Sequence, residues 1–310
     1  MAKWTTADIP LQSGRVAIVT GATSGLGYET ALALARAGSA VIVAGRDERR
    51  GAVAANRINA FGPKVKAAFE PLDLASLDSV AAFASRVAGR HPAVDLLVNN
   101  AGITGPSQRR TTRHGFEAQF GTNYLGHFAL TARLLPALRA ARQPCMVSVS
   151  SLAHQSGRID FNDLQAERRY GPTRAYAQSK LAMLLFAREL QRRSDEAGWG
   201  LLSVAAHPGF ALTGIFRGIA QDRRGKLIGM LGNLGASLIG QSAAQGALPL
   251  LYAATAPEVQ PGGYYGPNGF REVKGYPAPA KVARHGRDDA AAARLWAVSE
   301  QLTGLSFGVA

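Results

Sequence analysis

Short apolar runs at residues 16–20, 40–44, 65–69, 95–98, 146–150 and 201–206, with a weaker one at 263–265, alternate with helix-patterned segments. Several of these runs lack polar alternation, as strands covered on both faces do. Between them lie helical patterns at 28–37, 48–60, 77–88, an apolar-rich stretch at 115–141, and 175–196. Parallel neighbours need a crossover, and crossovers are right-handed, so the alternation predicts an α/β fold: a doubly wound parallel sheet with helices on both faces. No internal repeat or low-complexity linker divides the 310 residues. One domain over 1–310 is therefore expected, with a core at about 14–270 and a C-terminal helical extension at about 280–305. In that extension residues 288–302 read as a helix capped by Asp288 or Asp289, after a proline-rich connection, Pro277-Ala278-Pro279.

Composition removes several function classes. With 47% hydrophobic and 18% charged residues the chain can bury a core and is not a disordered segment. The one cysteine, Cys145, opens a strand-like run; it excludes a disulfide framework and a multi-cysteine metal site, and no metal is expected. No apolar stretch is long enough for a membrane span, and the N-terminus lacks a signal-peptide pattern, so no integral membrane anchor and a cytoplasmic location are expected. The apolar, glycine-rich run at 226–239 is too short for an anchor and reads as a cover over a pocket. Lys and Arg number 35 against 21 Asp and Glu, a formal charge of +14. These basic residues are scattered, without interleaved aromatics or a zinc-finger or basic-zipper pattern, so nucleic acid is not the expected partner.

The first strand runs into Thr20-Gly21-Ala22-Thr23-Ser24-Gly25-Leu26-Gly27 and then a helix. Glycines here let the backbone amides of the helix N-terminus approach a pyrophosphate, which the helix dipole also favours. The second strand is followed by Gly45-Arg46. A carboxylate at that point would hydrogen-bond the adenine ribose of NAD, whereas a guanidinium fork matches a 2′-phosphate. The expected cofactor is NADP(H), with NAD(H) kept open by Asp47.

Tyr176 and Lys180 lie four residues apart in a helical pattern, on one face and about 6 Å apart at Cβ. A free phenol titrates near ~10, so a lysine ammonium that lowered it by about three units, ~4 kcal/mol, would make a proton exchanger at neutral pH. Ser150-Ser151 ends the fifth strand, where open α/β sheets place their sites; a hydroxyl there can bond a substrate oxygen as alcohol or carbonyl. Asn99-Asn100-Ala101-Gly102 follows the fourth strand, Asn123 lies in the apolar stretch, and His207-Pro208-Gly209 with Thr213 follows the sixth strand.

Together these motifs resemble the classical short-chain dehydrogenase/reductase family over about residues 14–305. The resemblance implies a Rossmann-type fold and an oxidoreductase acting on a small-molecule alcohol or carbonyl. It implies a catalytic tetrad of Asn123, Ser151, Tyr176 and Lys180. It also implies cofactor contacts from Gly21, Thr23, Ser24, Gly25, Leu26, Gly27, Arg46, Asp73, Leu74, Asn99, Ala101, Tyr176, Lys180, Pro208 and Thr213. Ser151 is preferred to Ser150 because the second serine matches the family motif and the first points to the other side of an extended chain. Tyr176 follows Ser151 by 25 positions, about twice the usual family spacing. That insertion, with Arg294-Leu295-Trp296, resembles the retinol dehydrogenase and WW-domain oxidoreductase branch, which implies lipophilic substrates and NADP(H). His154, within the insertion, reads as an exposed loop residue, and homo-oligomerisation is left open.

Two other readings carry different expectations. An extended-type epimerase or dehydratase would have a different glycine spacing and a larger C-terminal substrate domain. A non-catalytic NADP-binding regulator would keep the glycine turn without needing Asn123, Ser151, Tyr176 and Lys180 together.

Overall fold

Strands β1 (Val16–Thr20), β2 (Ala40–Gly45) and β3 (Ala68–Pro71) run parallel on one side of the sheet. β4 (Leu96–Asn99) returns to the other side of β1, followed outward by β5 (Cys145–Val149), β6 (Leu202–Ala206), β7 (Tyr264–Pro267) and β8 (Pro277–Pro279). The strand order is β3-β2-β1-β4-β5-β6-β7-β8, with only the last pair antiparallel. The computed structural model describes residues 3–62, 66–210 and 241–308.

Alternation along each strand sends side chains to opposite faces. Ala17 and Val19 join Val43, Val98 and Val147 in the layer under helices α1 (Gly25–Arg36), α2 (Glu48–Asn59) and α6 (Ala243–Thr255). Ile18 joins Ile42, Leu97 and Met146 in the layer under α3 (Leu77–Arg90), α4 (Gly126–Arg139), α5 (Pro172–Ala197) and α7 (Asp289–Thr303). Both layers are made of buried apolar side chains, which is why the strands read as unbroken apolar runs. Cys145 is buried in the first layer. No helix among the described residues is long and apolar enough to cross a membrane.

Several expected boundaries move, each for a local reason. The strand expected at 65–69 runs Ala68–Pro71 on the sheet edge, where a proline that cannot donate to the ladder is tolerated; Val65 lies outside the described residues. Pro277–Pro279, expected as a connection, is an antiparallel edge strand for the same reason. Helix α6 is absent from the sequence reading because Gly246 and Pro249 interrupt its pattern. Ser242 caps it, its hydroxyl accepting the Gln245 N–H. The stretch 115–141 is not one helix. Thr111 bridges to Glu117, whose carboxylate then accepts the Gln119 and Phe120 N–H groups and starts a π-helical turn, Phe120–Leu125, before α4.

The C-terminal helix forms as expected, with the Asp288 carboxylate accepting the Ala291 N–H. It is held by Trp296, 1% exposed, whose ring centroid lies 5.2 Å from Phe128, 5.8 Å from Phe186 and 4.3 Å from Phe307. Trp296→Ala is expected to lower stability by about 3–5 kcal/mol, measured by denaturant unfolding. Leu11→Ala, at a position 80% exposed, should change it by less than about 0.5 kcal/mol. Equal effects of the two would contradict this docking.

Candidate functional site at the carboxyl edge of the sheet

The glycine turn closes the end of β1 against the end of β4. Gly21 and Gly25 have φ of +67° and +59°, values that favour glycine. A Cβ on Gly27 would lie 2.5 Å from Asn100 Nδ2 and 2.6 Å from Gly21 O, so the turn packs as closely as backbone allows. Ser24 precedes α1 without a side-chain cap, which leaves the first-turn amides facing the turn. Leu26 and Gly27 are buried beneath it.

Other expected cofactor residues surround this turn. Thr23 abuts the end of β2, where a Cβ on Gly45 would lie 2.9 Å from its Cγ2. Arg46 follows and is exposed. Arg50, one helical turn beyond it on α2, donates to Ser24 Oγ at 3.3 Å. The sequence reading did not single Arg50 out, although its spacing from Arg46 was the available signal. Past β3, Asp73 receives the Ala75 N–H and gives its own N–H to Ser79 Oγ. Leu74 is buried against Gly126, where a Cβ would meet its carbonyl at 2.3 Å.

Asn99 ends β4. Its side chain is fully buried under α4, Nδ2 donating to Thr131 Oγ1 at 3.0 Å, with Oδ1 unpartnered among the described residues. Asn100 is the residue that reaches the turn, donating from Nδ2 to Thr20 O at 2.7 Å. Thr20 Oγ1 accepts the N–H groups of Asn100 and Ala101, each at 2.9 Å.

A second group converges where β5 meets α5. Lys180 is 4% exposed and its Nζ donates to Val149 O at 2.9 Å. Burial lowers its pKa to about 8. Its ammonium lies 5.8 Å from the centroid of the Tyr176 ring. The expected depression of the phenol is not what this arrangement produces by itself. Burial raises the Tyr176 pKa, and the neighbouring Ser151 side chain opposes that rise. Ser150 turns the other way, its hydroxyl donating to Lys180 O at 2.8 Å. The two adjacent serines thus direct their hydroxyls to different partners.

Asn123 sits fully buried in the π-turn, clamped to Ile103 by a pair of bonds: Oδ1 accepts the Ile103 N–H at 2.8 Å and Nδ2 donates to Ile103 O at 3.0 Å. Nδ2 also donates to Ser179 Oγ at 3.0 Å, and Ser179 Oγ donates to Tyr176 O. A Cβ on Gly102 would sit 3.3 Å from Asn123 Oδ1 and 3.5 Å from Lys180 Nζ. The four tetrad positions therefore come together around the ends of β4 and β5.

On the far side, His207 accepts the Gly209 N–H at Nδ1 and meets Glu272 Oε2 at 3.1 Å through Nε2. Pro208 O accepts from Gln241 Nε2 at 2.5 Å, and the Gln241 N–H donates to Phe210 O. Thr213 and the run at 226–239 lie outside the described residues. His154 is fully buried rather than exposed: it meets Ser151 O at 2.7 Å and Tyr264 Oη at 3.2 Å, both through Nδ1.

The residue that sequence reasoning missed outright is His127, one helical turn after Asn123. It is fully buried. Its Nδ1 lies 2.8 Å from Asn123 O and its Nε2 2.9 Å from Thr20 Oγ1. A carbonyl can only accept, so Nδ1 carries the proton and the Thr20 hydroxyl donates to Nε2. Burial takes its pKa down from 6.5 to about 3, so the ring stays neutral and links the π-turn to the glycine turn. Below pH 6.5 the unfolded chain protonates this histidine while the folded one does not, so stability is present above that pH and declines as pH falls; His154, also lowered by burial, acts in the same direction. His127→Phe is expected to lose about 1–3 kcal/mol at neutral pH and to flatten the acid-side decline in the denaturant midpoint. An undiminished decline would contradict the neutral linkage.

With this geometry in place, comparisons with known proteins identify relatives. Residues 15–224 match the family model described as short chain dehydrogenase. Polyprenol dehydrogenase of Mus musculus is 43% identical over 307 residues, covering 97% of this chain and 87% of the relative. Retinol dehydrogenase 13 of Mus musculus is 42% identical over 298 residues, covering 94% and 85%. A crystal structure of an uncharacterised protein from Mycobacterium paratuberculosis superposes with a TM-score of 0.81 at 41% identity, covering 99% of this chain and all of that one. A short chain dehydrogenase from Shigella flexneri complexed with NADP has a TM-score of 0.61 at 25% identity, covering 80% and 94%.

Proposed function

The chain belongs to the short-chain dehydrogenase family, and on that premise we propose that it is an NADP(H)-dependent oxidoreductase interconverting an alcohol and a carbonyl on a lipophilic small molecule. The observation that carries the reading is the convergence of Tyr176 and Ser151 with the buried Lys180 ammonium, 5.8 Å from the Tyr176 ring centroid, at the carboxyl edge of the sheet.

The residues present fit a dinucleotide. The turn from Gly21 to Gly27 has no room for side chains where Gly27 and Gly21 pack, and α1 keeps its first amides uncapped. Gly21, Thr23, Ser24, Gly25, Leu26 and Gly27 would hold the pyrophosphate. Asp73, Leu74, Asn99 and Ala101, with Asn100 beside them, would border the adenosine, while Pro208 would lie beside the nicotinamide. Arg46, with Arg50 one turn along, offers two guanidiniums to a ribose 2′-phosphate. When bound, the nicotinamide supplies the hydride acceptor or donor.

The protein's own part is the proton. Tyr176 donates its phenol proton to the substrate oxygen in reduction and takes it back in oxidation, while the Ser151 hydroxyl holds that oxygen in either form. One Lys180 proton is committed to Val149 O, which leaves two donors for ribose hydroxyls. The burial that raises the phenol pKa keeps it protonated, ready to act as an acid. Its ionisation for oxidation then needs the added positive charge of an oxidised nicotinamide nearby. Asn123, fixed to Ile103 and Ser179, holds the floor of the site. The lipophilic substrate follows from the relatives named for retinol and polyprenol.

Mixing the protein with NADPH and apolar aldehydes and following cofactor absorbance tests the reading; cofactor binding without turnover across a broad panel refutes it. Tyr176→Phe is expected to lower kcat by about 10²–10⁴-fold with cofactor affinity retained, so turnover near that of the parent protein would exclude the proton role. Exchanging Arg46 for Asp should weaken NADPH far more than NADH in fluorescence titrations, and equal losses would count against the 2′-phosphate contact.

A further inference from the structure

A concavity whose lining shares no residue with the candidate site opens beside α5. It is an open depression of about 750 Å³ lined by Arg158, Arg284, His285, Arg287 and Asp288. Arg158 follows Gly157, which packs so closely on α5 that a Cβ would lie 2.6 Å from Ala177 O. The other lining residues come from the 3₁₀ turn Arg284–Arg287 and the cap of α7, a turn seated on α5 through Gly286 against Leu184. None of the residues of the cleft contributes to it.

The charge lining the concavity is unbalanced among the described residues. Some arginines elsewhere are matched with carboxylates: Arg86 and Arg90 with Glu70, Arg174 with Asp160, and Arg192 and Arg193 with Glu189. Among the described residues three guanidiniums line the concavity with one carboxylate. That carboxylate, Asp288, caps α7 by accepting the Ala291 N–H. Among the described residues none of Arg158, Arg284 and Arg287 forms an ion pair, and Arg287 is steadied only by donating from Nε to Val282 O at 3.0 Å. Like charges gathered at one concave site repel unless an anion joins them, and guanidinium forks suit phosphate oxygens.

We propose that this concavity is a second ligand site, which takes the phosphate or diphosphate group of a phosphorylated molecule. Arg284 and Arg287 grip the anion from the 3₁₀ turn, Arg158 closes on it from the α5 side, and His285 adds a donor from either ring nitrogen that bears hydrogen. The same chemistry occurs on a soluble phosphorylated compound and on a lipid headgroup.

The test uses the full chain and inorganic pyrophosphate, titrated calorimetrically at low salt, where exposed charges are least screened. The pair Arg284→Ala and Arg287→Ala removes exposed side chains, so its unliganded thermal midpoint should match the parent's. Its pyrophosphate affinity is expected to fall at least about tenfold. The pair Arg46→Ala and Arg50→Ala reports on the dinucleotide cleft. If that pair loses pyrophosphate binding and the Arg284 pair does not, the anion sits in the cleft and the proposal is overturned. Sedimentation with phosphatidylcholine vesicles containing phosphatidic acid separates the sources. Vesicle binding that depends on Arg284 and Arg287 identifies a headgroup, and pyrophosphate binding without vesicle binding identifies a soluble ligand. Failure of the parent protein to bind either probe overturns the site. Because binding is read without turnover, the outcome is independent of the oxidoreductase reading.

Discussion

Between β1 and β4 the winding of the sheet reverses, and the two strands lie side by side while their connections leave on opposite faces. A parallel sheet ends all its strands at one edge, so this reversal opens a crevice there that no crossover covers. Everything in the candidate site is arranged along that edge. The glycine turn leaves β1, Arg46 leaves β2, Asp73 follows β3, Asn100 follows β4, Ser151 follows β5 and Pro208 follows β6. The crevice also sets the demand for glycine, because the turn must fit against Asn100 and Ala101 with no space for a Cβ at Gly27.

The electrostatics of the site come from burial more than from pairing. Lys180, Tyr176 and His127 are all shifted mainly by desolvation, and in each case the shift favours the neutral form. A site with this bias is held at rest without internal ion pairs. It responds to charge brought in from outside, which is the condition under which a phenol can change protonation state during a reaction cycle. The neutral His127 is part of the same economy. It satisfies two buried oxygens without adding a charge beside Lys180, and it joins the π-turn that carries Asn123 to the turn that follows β1.

The strands and most helices were legible because two-sided burial leaves unbroken apolar runs in the chain. Site residues at strand ends were legible for a related reason, since a change from apolar run to Gly, Asn or Ser marks the edge of the sheet. What escaped reading lies where local signals conflict with tertiary context. Pro249 and Gly246 speak against a helix, yet α6 forms because the sheet face beneath it needs covering. Pro277 and Pro279 speak against a strand, yet an edge position tolerates them. His154 sits in a polar stretch and was read as exposed, but Tyr264 and Ser151 enclose it.

By itself the sequence determined the α/β class, the order of the strands along the chain and the residue types available at each strand end. Those follow from periodicity and composition, which are properties of short windows. Only the tertiary structure decided which of two adjacent serines faces Tyr176, which of two adjacent asparagines meets the glycine turn, and that Lys180 spends a proton on Val149 O. It also brought Arg158 beside Arg284 and Arg287 from a distant part of the chain. Side-chain direction and the depth of burial depend on neighbours far away in sequence, and no local pattern encodes them.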